Sequence, residues 1–159
     1  MGQHPSQGTV LAEEIHTGRF WAVIILLAAT AAIISVAQHP PAAAPARLAL
    51  GGAAILCLGG FAMAWAGFRY RFLSDALEIR TLGFRLRSIP KSAILSYAVE
   101  PWTFIRGYGI RGLGSRRAYV WGNEVVHIQM SNGDVYLGHN EPERVVRDLD
   151  KMMGVVSKG

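Results

Sequence analysis

Five histidines, one cysteine and one glycine-rich run are the parts of this chain whose residue types could do chemistry. His4, His16, His39, His127 and His139 have no second ligand at metal spacing, and no Cys or carboxylate cluster completes a set. Tail and loop histidines of this kind read as solvated, and His127 as the outward-facing residue of a strand. Cys57 lies in the middle of an apolar run; with no second cysteine it can form no intramolecular disulfide, and it reads as a small packing residue. Gly107-Tyr-Gly109-Ile-Arg-Gly112 matches G-x-G-x-x-G to the letter. Dinucleotide binding by that pattern needs a strand before it and a helix N-terminus after it, so that free N–H groups meet the phosphates. Here Leu113-Gly-Ser-Arg-Arg comes next, and then a strand-like run. No G-x-S-x-G or comparable nucleophile signature is present. These residues point to no enzyme, no metal and no cofactor.

A second kind of chemistry is recognition. Trp102, Phe104, Arg106, Tyr108, Arg111, Arg116 and Arg117 crowd into one glycine-rich segment and its flanks, residues 100–117. Guanidinium groups offer paired donors to phosphate oxygens, and Trp or Tyr rings suit the headgroup level of a bilayer. Trp102, Arg106, Tyr108, Arg111, Arg116 and Arg117 are therefore the candidate lipid- or partner-binding residues. The plainer reading is a solvated basic face, with Trp102 and Phe104 closing a core beneath it.

What must position such a segment is set by two long apolar runs. Residues 20–37 and 48–68 carry no charge. A helix rises about 1.5 Å per residue, so about 20 apolar residues cross a hydrocarbon core of roughly 30 Å. In lipid the backbone must satisfy its own polar groups, which a helix does. Between the runs lies a joint, residues 38–47, whose prolines at 40, 41 and 45 prevent one continuous span. The expectation is a transmembrane helical hairpin over residues 19–68. Trp21 at the start of the first run, and Trp65, Phe68 and Tyr70 at the end of the second, suit one membrane surface. Gly51, Gly52, Gly59, Gly60 and Ala64 allow close helix packing, against the first helix or between copies.

Charge fixes the expected orientation. The chain carries +5, and residues 69–117 hold 10 basic against 3 acidic residues. The joint offers only Arg47, whereas Arg19, Arg69 and Arg71 flank the other helix ends. Positive-inside counting puts both termini in the cytoplasm. A basic region beside a membrane attracts anionic headgroups. Nucleic acid, the other usual partner of a basic surface, is disfavoured by the anchor and by the lack of a binding motif. The polar residues 1–18 read as a flexible tail. They lack the basic n-region of a signal peptide, although the small residues at 42–46 resemble a cleavage site. Met1-Gly2 is a bare myristoylation start without further support.

After residue 68 the period changes to two. Alternating runs at 68–72, 76–81, 84–88, 94–99, 116–121, 125–130 and 134–138 predict seven strands, with Asn132-Gly133 as the strongest hairpin signal. Residues 140–153 predict an amphipathic helix. Asn140 would cap it and Pro142 sits in its first turn. Val145, Val146, Leu149, Met152 and Met153 form its apolar stripe, Arg144, Arg147, Asp148 and Lys151 face water, and Gly154 ends it. The fold class expected is α+β: a two-helix hairpin, then a small seven-stranded antiparallel barrel over residues 69–154 closed by its helix, then a tail at 155–159.

The order of these features resembles bacterial membrane proteins with a pleckstrin-homology-like domain. Its carriers are Leu77-Glu-Ile79 followed by Gly83, the Ile89-Pro90…Ile94 step, Gly107-Tyr-Gly109-Ile-Arg111, the Asn132-Gly133 turn and the Glu141-Pro-Glu143 helix start. The resemblance spans residues 20–153. It implies seven strands and a C-terminal helix, no catalytic residues, and a place in the cytoplasmic membrane of a bacterium. Two functions fit: a scaffold that recruits other membrane proteins or further copies of itself, and a module that reads anionic lipid headgroups.

Overall fold

The computed structural model describes residues 8–38, 43–112 and 114–154, the side chain of Phe104 excepted. His4, His39, the prolines at 40 and 41, the tail 155–159 and the Met1-Gly2 start lie outside the described residues. The chain divides into a helical unit, residues 17–66, and a β unit made of residues 1–16 and 67–159.

The helical unit is α1 (Arg19–Gln38) and α2 (Ala44–Ala66), both long and apolar enough to cross a membrane. Twenty residues give about 30 Å of helix. Neither helix has a polar stripe, and Leu27, Ile33, Leu48, Leu56 and Leu58 are all exposed. An apolar surface that runs all round a helix calls for cover by lipid or by packed protein rather than water. Pro45 falls in the first turn of α2, where its missing N–H costs nothing, so α2 starts ahead of the apolar run. Gly60 faces α1: a Cβ there would lie 3.9 Å from Ile25. Gly51, Gly52 and Gly59 face open space, so most of the small residues do not serve packing within the hairpin. At the paired ends of the two helices the Gly18 N–H donates to the Ala64 carbonyl at 2.9 Å, and the Arg19 guanidinium sits 5.8 Å over the Trp65 ring.

Among the described residues the β unit has nine strands in two separate sheets and not the expected closed seven-stranded barrel. Sheet A has the order β1 (Val10–His16), β2 (Phe68–Leu73), β3 (Ala76–Thr81), β4 (Phe84–Pro90). Sheet B has the order β5 (Ile94–Pro101), β8 (Glu124–Met130), β9 (Gly133–Gly138), β7 (Arg117–Val120), β6 (Gly109–Arg111). All pairs are antiparallel except β7 with β9. The two strands beyond the expected seven are β1, in a stretch that reads as tail, and β6, three residues among glycines. Neither has enough alternation to stand out alone, and both are held by their neighbours: β1 on β2, β6 on β7.

Alternation sets the core. Phe68, Tyr70 and Phe72 of β2, Leu77 and Ile79 of β3, and Tyr119, Val126, Ile128 and Leu137 of sheet B are all fully buried, and the Phe68 ring lies edge-on to Tyr119 at 5.6 Å. Phe68 and Tyr70, which suit a membrane interface by type, are core residues instead. The Tyr70 hydroxyl lies 3.0 Å from the Tyr119 carbonyl and 2.9 Å from that of Gly138, tying β2 to the parallel pair β7–β9. Helix α3 (Pro142–Met153) packs on β1, β2, β5 and β8 through Val145, Leu149 and Met152. Its N-cap is Glu141 with no side-chain hydrogen bond, so Asn140 does not cap it. Gly154 ends it at φ +74, with its N–H on the Asp150 and Lys151 carbonyls. Asp148 is buried rather than wet, and accepts from Lys151 Nζ at 2.8 Å.

Candidate functional site

The segment that carries the recognition residues lies across the outer face of sheet B. On β8 and β9 the outward positions are Val125, His127, Asp134 and Tyr136, and on β7 they are Ala118 and Val120. After β5 the chain turns back over this face through a short 3₁₀ turn, Phe104–Arg106, into β6. Trp102 is the peg. Its ring packs with Ala118, Val120 and Val125, lies 5.3 Å from the Tyr136 ring, and its Nε1 donates to the Gly107 carbonyl at 2.9 Å. The Trp102 N–H donates to Asn123 O at 2.7 Å, and the Tyr108 hydroxyl to Asn123 Oδ1 at 2.8 Å. Asn123, in the β7–β8 turn, thus clamps both ends of the loop.

The six candidate residues do not form one basic face. Trp102 is buried, in line with the core-closing reading. The Arg106 guanidinium lies 5.4 Å over the Trp102 ring, a cation–π arrangement that holds it to the loop. Arg111 Nε donates to the Tyr108 carbonyl at 3.0 Å. Arg116 is exposed and pairs with Asp134 at 3.2 Å. Arg117 is the first residue of β7, so alternation sends it to the opposite face from Arg116. The Gly-rich pattern serves turning, not phosphate binding. Gly107, Gly109 and Gly112 all have positive φ, and the next element in the chain is the strand β7 rather than a helix. At Gly112 a Cβ would meet the Arg116 carbonyl at 2.2 Å.

His127, expected to be merely outward, is the hub of this face. Its Nδ1 lies 2.8 Å from Glu100 Oε1 and its Nε2 3.1 Å from Asp134 Oδ1, so the imidazole ties β5, β8 and β9 together. Its ring stacks on Tyr136 at 4.5 Å. Burial disfavours the charged ring, but the hydrogen bonds to Glu100 and Asp134 outweigh it and raise the pKa. Both ring nitrogens are engaged by carboxylates, which leaves neither to activate a nucleophile. Among the described residues no cluster of His, Cys, Asp and Glu is arranged to hold a metal ion. The signal in the sequence was the pairing of Glu100 and Asp134 with His127 across strands, which emerges only once register is known.

A second polar cluster was also hidden, because its members read as tail and loop. His16 and His139 are buried with ring centroids 5.6 Å apart. The Glu141 N–H donates to His139 Nδ1 at 3.1 Å, leaving His139 Nε2 toward Glu14 at 3.5 Å, and Glu14 also pairs with Arg144 Nε at 3.2 Å. Burial first, then the nearby His139, push the His16 pKa down to about 4. This cluster locks β1 to α3.

No known protein family, curated protein or solved structure matches this chain.

Proposed function

We propose that this chain is a membrane-anchored β domain without catalytic activity that recruits or assembles with a partner protein at the cytoplasmic membrane surface. The observation that carries this reading is the open edge of sheet B. β5 is an edge strand of eight residues with no charge from Ile94 to Val99 and with Leu95 and Val99 exposed. Natural edges are usually blunted by Lys, Pro or a charge turned inward. Pro101 and the bulge between Ile94 and Ser96 bound the usable stretch. Between those devices the run Ser96–Val99 has no Lys, Pro or charge, and such a stretch suits strand addition, in which main-chain hydrogen bonds supply affinity and alternate side chains supply specificity. Headgroup reading by Arg106, Arg111, Arg116 and Arg117 has less behind it, because Arg106, Arg111 and Arg116 are engaged by Trp102, the Tyr108 carbonyl and Asp134, and Arg117 lies on the other face of β7.

The experiment compares the full-length chain with its Leu95→Lys/Val99→Lys variant, each crosslinked in native membranes and purified in mild detergent. A crosslinked protein or second copy present with the parent and lost with the variant, at unchanged thermal stability, fits the proposal. Crosslinks retained in full by the variant would overturn it.

A further inference from the structure

The β3–β4 turn breaks a local rule. Leu82 and Gly83 join Thr81 to Phe84 as a two-residue turn, with φ +49 at Leu82 and +83 at Gly83. Two successive positive φ values are the geometry that favours Asn-Gly, because a side chain with a bulky Cβ substituent is strained there. Among the described non-glycine residues, Leu82 alone has positive φ. The strain is not offset by burial: Leu82 is 52% exposed and Phe84 is 73% exposed. Strained apolar residues held out into solvent point to a role outside the fold.

The tip is also held rigid. Arg80 Nη2 donates to the Gly83 carbonyl at 3.0 Å while its Nη1 reaches Glu78 at 3.5 Å, and Arg85 holds the other oxygen of Glu78 at 3.2 Å. Register shows where the tip stands. His16 pairs with Phe68, Arg69 with Arg80, and Thr81 with Phe84, so one end of sheet A collects the end of β1, the start of β2 and the β3–β4 turn. The Thr81 hydroxyl donates to the Gly67 carbonyl at 2.6 Å. Gly67 directly follows α2, and only Thr17 and Gly18 separate His16 from α1. Strands advance about 3.3 Å per residue, so the tip reaches at least to the level at which the chain passes into its two apolar helices.

We propose that the Leu82-Gly83-Phe84 turn is a bilayer-contacting tip, inserting Leu82 and Phe84 into the interfacial zone of the same membrane that α1 and α2 cross. Arg69, Arg80 and Arg85 flank it but are paired with Glu13 and Glu78, so the contact rests on the apolar side chains of Leu82 and Phe84 rather than on free basic charge. The occupant is lipid rather than protein because a membrane is already brought to this end of the sheet by two covalent links. This inference rests on the membrane reading of the helices, and its test separates the two.

The test uses the full-length chain in phosphatidylcholine/phosphatidylglycerol vesicles, on a Cys57→Ala background, with an environment-sensitive fluorophore on single cysteines. Phe84→Cys reports the tip, Asp75→Cys the opposite end of sheet A, and Ile34→Cys the interior of α1. With brominated lipids the Ile34 and Phe84 probes should lose much of their emission and the Asp75 probe little. Quenching at Ile34 with none at Phe84 would overturn the tip and leave the membrane hairpin standing. No quenching at either position would overturn both. A Leu82→Asn variant keeps the turn geometry, so it should retain the fold while weakening quenching at Phe84; unchanged quenching would argue against Leu82 as part of the tip.

Discussion

His16 stands directly opposite Phe68 in the β1–β2 ladder, although residues 17–67 lie between them in sequence. The two apolar helices are thus an insertion between neighbouring strands of one sheet. A chain that leaves a sheet at one strand end and returns to the adjacent strand start brings both ends of the insertion back to the same place. The N-terminal stretch is therefore part of the β unit, and a fragment beginning at residue 69 would expose the flank of β2 that β1 covers.

The tie between β1 and α3 should carry stability. Glu14→Ala removes the carboxylate facing His139 and Arg144 and leaves a buried ring without it. The expected cost is about 1–3 kcal/mol. Its neighbour Glu13 pairs with Arg69 and Arg71 on the open side of the sheet. Glu13→Ala should cost no more than about 1 kcal/mol, as exposed pairs do. Thermal melts of the two variants in detergent check the order, and equal losses would show that β1 is not docked as described.

Helix α3 gives a sharper contrast. Leu149 is fully buried and Arg147 exposed, on opposite faces of the helix. Leu149→Ala should cost about 2–5 kcal/mol by lost burial and the cavity left behind, whereas Arg147→Ala should stay within about 0.5 kcal/mol. Chemical denaturation monitored by far-ultraviolet circular dichroism measures both.

The two histidine sites respond to pH with opposite sign. The His16 pKa is depressed from 6.5 to about 4 in the folded protein. Its neutral ring therefore favours folding above pH 6.5, and that contribution is lost as the pH falls from 6.5 toward 4. His16→Gln should flatten the loss across this window. The His127 pKa is raised by its carboxylate neighbours. Its contribution is complete below the unfolded value and disappears as the pH rises through the folded one. An imidazole titration monitored by nuclear magnetic resonance should place His127 above the ordinary histidine value, and Glu100→Gln should bring it down. No change on that substitution would remove Glu100 from the tie.

Leu82→Asn tests the strained turn as a matter of folding. Asn adopts positive φ more readily than Leu, so the variant should match or exceed the parent in thermal stability, by up to about 1 kcal/mol. A loss would mean that Leu82 is packed rather than exposed.

Much of this fold was legible in the sequence, for physical reasons that also explain the gaps. The strand at 76–81 and the helix ending at Gly154 rest on strong local periodicity and stand where that periodicity puts them, and the strand expected at 134–138 begins one residue earlier, at Gly133. β1 was not legible. Glu13, Glu14 and His16 give its seven residues a polar look, and its partner β2 lies beyond both helices in the chain. The short β6 was hidden among glycines for the same reason, since its pairing with β7 and not its own pattern makes it a strand. Closure into a barrel was wrong because alternation fixes which face is buried but not which strands sit side by side. At the recognition segment the residue types were found and their grouping was not. Arg116 and Arg117 are neighbours in sequence and on opposite sides of a strand, while His127, Glu100 and Asp134 are separated in sequence and joined in space.

The most direct measurement of the central claim is the sidedness of three single cysteines in whole cells, on a Cys57→Ala background: Leu11→Cys in β1, Ala43→Cys between the helices and Lys151→Cys in α3. With a membrane-impermeant thiol reagent, Ala43→Cys should label, while Leu11→Cys and Lys151→Cys should label only after the cells are opened. Labelling of Leu11→Cys and Lys151→Cys with protection of Ala43→Cys would reverse the orientation, and identical behaviour at all three positions would contradict a membrane-crossing hairpin inserted into a single β domain.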